Sequence, residues 1–353
     1  MTTSAGIAPS PLRSQPLRGN RLPAWSFFAV AVAVFAVTAG AFAVTKLSGT
    51  VDYFVLAVAA YVVIQSAVAW AVEGRRHAKD RFATLLVGVA FLVALVPLVG
   101  IVGYTIHRGL TRFDVTFLTH SMRNVAEQDP NGGAYHAIIG TVEQVAIATI
   151  IAVPFGVFVA IYLVEYSRGK FGQLVSFIVD VMTGLPSIVA GLFIYALWIL
   201  DLHQGYSGLA GSLALVILML PTIVRTSEEM LKLVPDSLRE GSYALGVPKW
   251  RTIVRVVLPT ALPGVVTGVM LAIARVFGET APVLLVIGTS ASINYNPFSG
   301  SQGSLPVFIY NEAQQANATA ITRAWAGALT LIAIVMLLNI VARFIARFAR
   351  VRG

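Results

Sequence analysis

The stretch "LAIARVFGETAP" (271–282) sets a guanidinium, Arg275, and a carboxylate, Glu279, four residues apart inside a run otherwise suited to lipid. A lone arginine at the centre of a spanning helix costs about 2.5–3.5 kcal/mol on insertion scales, so something must offset it. Residues four apart share a helical face, and the two side chains can pair. The pair can also handle an oxyanion: a guanidinium fork binds two oxygens at once, which an ammonium cannot. In that reading Glu279 neutralises Arg275 while a path is empty and yields to an incoming anion, so the basic site is never uncompensated. Gly278, Thr280 and Pro282 surround Glu279, and a weakened helix near the midplane is where transporters expose backbone groups to substrate. The plainer alternative is a structural ion pair facing the bundle interior.

Other polar intrusions could extend such a path. Arg225 follows Pro221, expected to break its helix, and would mark a second, more cytoplasmic position; the competing reading is an anchor snorkelling to headgroups. Ser187 and Thr183 flank Pro186, where hydroxyls either meet an anion or bond backbone near a kink. Glu143 and Asp180 are expected near the external and cytoplasmic ends of their spans.

These residues need a membrane bundle to position them. The 353 residues are 57% hydrophobic and 12% charged, with no cysteine, and the mean hydropathy is +0.80. A soluble domain carries roughly 25% charge. Eight apolar stretches of spanning length can be drawn, at 24–45, 51–72, 82–106, 136–164, 175–200, 207–225, 260–289 and 324–346. They are too long and uniform for barrel strands, so the expected fold is an all-α polytopic membrane protein of about eight transmembrane helices. With a cytoplasmic N-terminus, 19 of the 25 Lys and Arg fall on the cytoplasmic side. The positive-inside rule therefore absorbs the net charge of +9 and removes the case for nucleic acid. Both termini are expected to be cytoplasmic. The first span contains a signal-peptidase-like Ala41-Phe42-Ala43, but exceeds a signal core in length and reads as an uncleaved anchor.

The expected organisation is a disordered cytoplasmic tail over 1–22, a transmembrane hairpin over 23–78, and a larger domain over 79–353 containing a cytoplasmic loop, 226–258. The segments 107–135 and 290–322 are expected outside, as exposed loops or short re-entrant pieces. In the cytoplasmic loop, Pro235 opens a short helix, Asp236 and Glu240 sit near its N-terminal end, and Gly246 stops it. Pro248 opens a second helix, in which Trp250, Ile253, Val254, Val257 and Leu258 share a face. It is expected to lie along the interface with Trp250 at headgroup depth. A short helix held below the membrane suits contact with a soluble subunit.

"EGSYALGVPKWRTIVRVVLP" (240–259) resembles the cytoplasmic signature of permease subunits of ATP-binding-cassette importers, with Glu240, Gly246, Leu258 and Pro259 in register. Gly241 and Ser242 replace its two alanines and Val256 its isoleucine; Gly241 weakens the helix by up to about 1 kcal/mol. "LPSIVAGLF" (185–193), "PTIVRTSEEMLKLVPDSLRE" (221–240) and "AIARVFGETAPVLL" (272–285) look more specifically like phosphate-transport permeases of the PstA type, over roughly 79–353. That resemblance implies a six-helix type I importer core, with the hairpin an addition outside it, in the bacterial cytoplasmic membrane. It further implies a second permease subunit (PstC-like), a dimer of ATP-binding subunits (PstB-like) and an external phosphate-binding protein (PstS-like). Residues Glu240 to Gly246, including Gly241, Ser242 and Tyr243, would form the helix that couples to the ATPase, with Leu258 and Pro259 beyond it. Arg275, Glu279, Thr280, Arg225 and Ser187 would line the substrate path.

No phosphate-cradling G-x-x-x-x-G-K-[ST] motif occurs, so the resemblance assigns ATP and Mg to a partner, with no cofactor and no catalysis in this chain. No H-E-x-x-H occurs, and the five histidines lack ligand spacing. The alternatives are a permease for sulfate, molybdate or phosphonate, and an ion-coupled carrier, which the coupling signature disfavours.

Overall fold

The computed structural model describes residues 22–23, 25–45, 49–126, 128–167 and 169–351. The tail expected over 1–22 lies outside them except for Leu22. Among the described residues every regular element is helical, and the backbone falls into two compact units that divide after Val102. Among the described residues seven helices are long and apolar enough to cross a membrane, or eight if one bent pair is a single span.

The first unit holds α1 (Ser26–Thr45), α2 (Thr50–Glu73) and most of α3 (Arg75–Gly109). The first two form an antiparallel hairpin. In it the Tyr53 hydroxyl donates to the Phe35 carbonyl at 3.0 Å, Tyr61 to that of Phe27 at 3.3 Å, and Tyr53 meets Phe35 and Phe42 edge-on. Gly74 makes the reversal into α3 with φ +85, a conformation that favours glycine. Beside it the buried Glu73 carboxylate accepts the Leu22 N–H and pairs with Arg81 at 2.6 Å, whose guanidinium lies 4.7 Å from the Phe27 ring centre.

The second unit continues through α4 (Val115–Thr119), α5 (Tyr135–Ile161), α6 (Lys170–Thr183), α7 (Ser187–Ile194) and α8 (Gly208–Lys232). Then come α9 (Asp236–Ala244), α10 (Lys249–Thr252), α11 (Leu258–Phe277), α12 (Ala281–Leu284), α13 (Leu305–Gln314) and α14 (Ala318–Val351). Single π-helical turns extend α5 (Tyr162–Tyr166) and α7 (Tyr195–Asp201) and join α10 to α11 (Ile253–Val257). α8 is the central post: 67% of its spanning stretch is buried. α5 approaches it along small residues four apart, Ala148, Ala152, Gly156 and Ala160, all buried, with Gly156 against Ile223. Dispersion between closely approaching backbones drives helix association where water supplies no hydrophobic force, and small side chains permit that approach. α11 uses the same device: Gly264 lies against Met230 and Gly268 against Thr226, so α8 and α11 run antiparallel in a fixed register.

Four expectations are corrected. The fifth span is not one helix over 175–200: it breaks at Gly184–Pro186, and α6 meets α7 with its π turn at 105°. Proline lacks the donor a continuing helix needs, and the residue before it is pushed out of helical geometry. Pro221, by contrast, does not break α8, which runs through it from Gly208 to Lys232. One lost hydrogen bond inside a buried helix is tolerated, because packing on neighbouring helices holds both halves in line. The seventh span ends at Phe277 instead of reaching 289, with Gly278 as its C-cap. The helix opened by Pro248 is also not a separate interfacial element; it passes through the π turn into α11, and Pro259 follows that turn. An extra residue in a turn is one way a helix accommodates a proline that cannot donate to the preceding turn. Trp250 and Val254 are exposed while Ile253 and Val257 are buried, so the apolar face expected to meet headgroups is divided between the bundle and the surroundings.

Candidate functional site

Two interrupted helices meet at the centre of the second unit. α11 stops at Phe277, where Gly278 N–H bonds the Arg275 carbonyl and Glu279 N–H the Val276 carbonyl, each at 3.2 Å, tightening the last turn. α12 then packs on α7, and Gly191 lies so close to Pro282 that a Cβ there would sit 2.7 Å from its Cα and carbonyl oxygen. The break before Ser187 and the break after Phe277 therefore belong to one packed assembly. Arg275 is in the last turn of its helix and not at mid-helix. The α8–α11 contacts at 230/264 and 226/268 nonetheless extrapolate to Met219 opposite Arg275, near the middle of α8. The helix ends at mid-depth of the bundle and leaves its last carbonyls there.

Arg275 and Glu279 approach to 3.7 Å between Nε and Oε1, an ion pair longer than a hydrogen bond, with the arginine side chain 56% exposed and the glutamate 18%. Glu279 reaches Arg275 from beyond the helix end and not along a shared helical face. The pair is loose, and the guanidinium is more than half exposed although Ala272 and Val276 beside it on α11 are buried. Thr280 and Ser187 are half-buried, at the starts of α12 and α7, and no hydrogen bond or ion pair joins them to Arg275 among the described residues. Thr183 bonds backwards to the Val179 carbonyl at 2.9 Å, the local backbone contact weighed against substrate contact.

Arg225 lies six residues, or about 9 Å of helix, nearer the C-terminal end of α8 than Met219. It is fully engaged: Nη1 donates to Glu228 at 2.5 Å, and Nη2 to Asp180 at 2.5 Å and to both the carbonyl and hydroxyl of Ser176 at 2.9 Å. Glu228 also takes Lys232 at 2.7 Å. This network ties α8 to α6, which explains Asp180. Glu143 accepts from the side chain of Gln302, a buried residue that also accepts from Gln144 at 2.9 Å. Thr141 receives the Leu305 N–H at 2.7 Å. These bonds staple the segment before α13 onto α5. The region 290–322, expected as loops or short re-entrant pieces, includes the ten-residue α13, with Leu305, Val307 and Phe308 buried.

On the opposite side of the bundle α9 runs Asp236–Ala244 and Gly246 adopts φ +76 beyond it, as the capping signals anticipate. Glu240, Gly241 and Tyr243 are exposed, whereas Ser242 is buried and shares a 2.8 Å hydroxyl contact with Thr252 that locks α9 to α10. A Cβ at Gly241 would meet nothing within 4 Å. Leu233, Leu238 and Leu245 are exposed around α9, beside a cleft of about 600 Å³ that Ser237, Leu245 and Arg251 help to line. Leu258 and Pro259 lie at the junction with α11.

Three residues that the sequence reading passed over connect this module to the bundle. Arg239 Nε bonds the buried Glu165 carboxylate at 3.0 Å, and its terminal nitrogens take the carbonyls of Val234 at 2.5 Å and Leu231 at 2.9 Å plus Asp236 at 3.1 Å. Lys249 donates to the Glu165 carbonyl and stands 4.8 Å from the Tyr166 ring centre. α9, through Arg239, and the start of α10, through Lys249, thus both grip the π-helical end of α5. The available signal was an acid closing an apolar span in "LVEYS" and an arginine next to Glu240, yet neither spacing names the partner.

Residues 152–351 match the family described as binding-protein-dependent transport system inner membrane component. The phosphate transport system permease protein PstA of Mycobacterium leprae is 51% identical over 269 residues, covering 75% of this chain and 88% of that protein. PstA 1 of Mycobacterium tuberculosis is 50% identical over 281 residues, 79% of this chain and 90% of that one. PstA of Yersinia pestis is 39% identical over 273 residues, 76% and 90%. The interrupted helices, the signature-bearing α9 and these relatives converge: the chain belongs to the PstA family of phosphate transport permeases, multi-span inner-membrane components of binding-protein-dependent importers.

Proposed function

We propose that this chain forms half of the translocation path of an ATP-driven importer of inorganic phosphate and transmits the work of a separate ATPase to that path. The observation that carries the substrate assignment is Arg275, placed at mid-depth at a helix end with a loosely held carboxylate beside it. A phosphate dianion passing this point takes the guanidinium fork while Glu279 swings aside, and Glu279 reoccupies the arginine after the anion leaves. Thr280 and Ser187, at the helix breaks, supply hydroxyls and unpaired backbone N–H groups to the same passage. Arg225 is a second position inward, opened only when its carboxylate partners are exchanged for the anion.

Coupling is assigned to α9. Glu240, Gly241 and Tyr243 face outward toward a PstB-like ATPase dimer, Ser242 and Gly246 set the helix's position, and the stretch through Leu258 and Pro259 carries its motion into α11. Arg239, held between Glu165 and the last carbonyls of α8, carries it into α5 and α8. The chain itself binds no cofactor; ATP and Mg act in the partner. A PstC-like permease completes the path, and a PstS-like protein delivers phosphate to the external side. Both termini lie in the cytoplasm of a bacterium, below its plasma membrane.

The test is ATP hydrolysis by the four-component complex reconstituted in proteoliposomes. Phosphate-loaded binding protein should stimulate hydrolysis and drive uptake, and sulfate should do neither. Equal stimulation by sulfate would transfer the chain to another oxyanion and remove the substrate assignment.

A further inference from the structure

The α1–α2 hairpin and the start of α3 have no role in the path described above. α2 and α3 diverge from the Gly74 reversal with no more than glancing backbone contact. Between them lie two hollows at successive depths. The mouth, about 450 Å³, is bordered by Trp70, Arg75, Lys79 and Phe82. The second, about 510 Å³, is walled by Phe54, Val58 and Val62 of α2 and Leu86, Val89 and Val93 of α3, without a polar side chain. The facing residues run in one antiparallel order, 70 with 79, 62 with 86 and 54 with 93, so the hollows are parts of one cleft. Along α2 from Trp70 to Phe54 it extends about 24 Å, against roughly 15 Å for one leaflet's hydrocarbon.

Charge at the mouth is unbalanced. Glu73 is committed to Arg81 and the Leu22 N–H. Arg75, Arg76 and Lys79 are exposed and carry no ion pair among the described residues; Asp80, also exposed and without one, is the single acid beside them. By the positive-inside rule this turn faces the cytoplasm. Lining of this kind, two cations and an indole at headgroup depth over a wholly apolar slot, matches an amphiphile with an anionic head. A basic pocket between spanning helices on the cytoplasmic side is where such heads bind, and an apolar slot without a filler forfeits its dispersion contacts. A protein helix, about 10 Å across, would displace about twice the cleft's volume over the same length.

We propose that the α2–α3 cleft is a site for one anionic phospholipid of the cytoplasmic leaflet, its phosphate on Arg75 and Lys79 against Trp70, and an acyl chain between Val62 and Val89. The site gives the amino-terminal hairpin a function in seating the chain in anionic membrane.

Native mass spectrometry of the purified full-length chain, titrated with phosphatidylglycerol and with phosphatidylcholine of identical chains, tests this. The wild type should retain one phosphatidylglycerol in preference to phosphatidylcholine. Arg75→Gln with Lys79→Gln should weaken phosphatidylglycerol about 30-fold, from roughly fivefold per surface charge, and Arg76→Gln, outside the cleft, much less. Val89→Trp, with every charge kept, should expel both lipids. Equal retention of the two lipids by the wild type, equal loss in Arg76→Gln, unchanged retention in Val89→Trp, or a lipid-free two-chain species that Val89→Trp dissociates would each overturn the proposal, the last by giving the cleft to a second copy.

Discussion

Replacing Glu279 by glutamine separates an ion pair that merely offsets a charge at mid-depth from one that regulates anion release. The separation of 3.7 Å corresponds to about 1 kcal/mol of attraction in bulk water and about 4 at an effective dielectric of 20. With Arg275 more than half exposed, the lower part of that range applies, about 1–2 kcal/mol. Glutamine keeps the side-chain shape and removes the competing charge, so an anion at Arg275 no longer has to displace a carboxylate. Phosphate should then bind the permease about five- to thirtyfold more tightly, while release slows and uptake per ATP hydrolysed falls. Direct calorimetric titration of the complex without binding protein gives the affinity, and initial uptake by proteoliposomes gives the turnover. Folding and ATPase attachment should be unaffected, because Glu279 contacts neither α9 nor the α5–α8 seam. If affinity and uptake both match the wild type, the carboxylate plays no part in release and the exchange mechanism is wrong.

Four further outcomes follow from the geometry. Glu165→Ala strips Arg239 of its buried carboxylate but leaves it three oxygen partners, so stability should fall by about 3 kcal/mol, the low end for breaking a buried pair. ATP hydrolysis should then lose its dependence on phosphate delivery, which an ATPase assay of the complex reads directly. Gly241→Ala meets no neighbour and removes a glycine from a helix, so it should stabilise α9 by up to about 1 kcal/mol; hydrogen exchange across 236–244 should slow by up to about fivefold. Gly191→Ala should force α7 from Pro282 at about 1–3 kcal/mol, lowering uptake while ATPase attachment, measured by co-purification, persists. Asp114 caps α4 through the Phe117 N–H, and that bond leads in holding its carboxyl below the ordinary 3.8. A depressed folded value means the cap stabilises above the unfolded pKa and is lost as pH falls through the folded one. Exchange over 115–119 should therefore rise below about pH 4, and Asp114→Asn should abolish that dependence.

Much of this molecule is written in local sequence. Long apolar runs fix the helical class, because a lipid-exposed backbone has no other way to satisfy its N–H and C=O groups. The bounds of α9 follow from Pro235 and Gly246, and the PstA resemblance was readable from three short motifs, since capping and turn residues act over a few positions. Arg275 and Glu279 stood out for the same reason: charges in an apolar run need no third dimension to be seen.

What neighbours do to a helix was not legible in that way. Pro186 and Pro221 look alike in sequence, yet one lies in a 105° bend and the other sits in an unbroken α8, because only the second is clasped by packing along its length. The end of α11 at mid-depth depends on α12 turning to pack on α7, a contact between residues about ninety positions apart. Arg225 read as a path marker or a headgroup anchor, and the fold surrounded it with Asp180, Glu228 and Ser176. Glu165 and Arg239 carry no recognisable spacing at all, being 74 residues apart. By itself the sequence determined which segments enter the membrane, where α9 starts and stops, and which charges require an explanation. Tertiary structure decided which charge stays loosely held and which is locked, because a guanidinium's partners are set by the helices that pack around it.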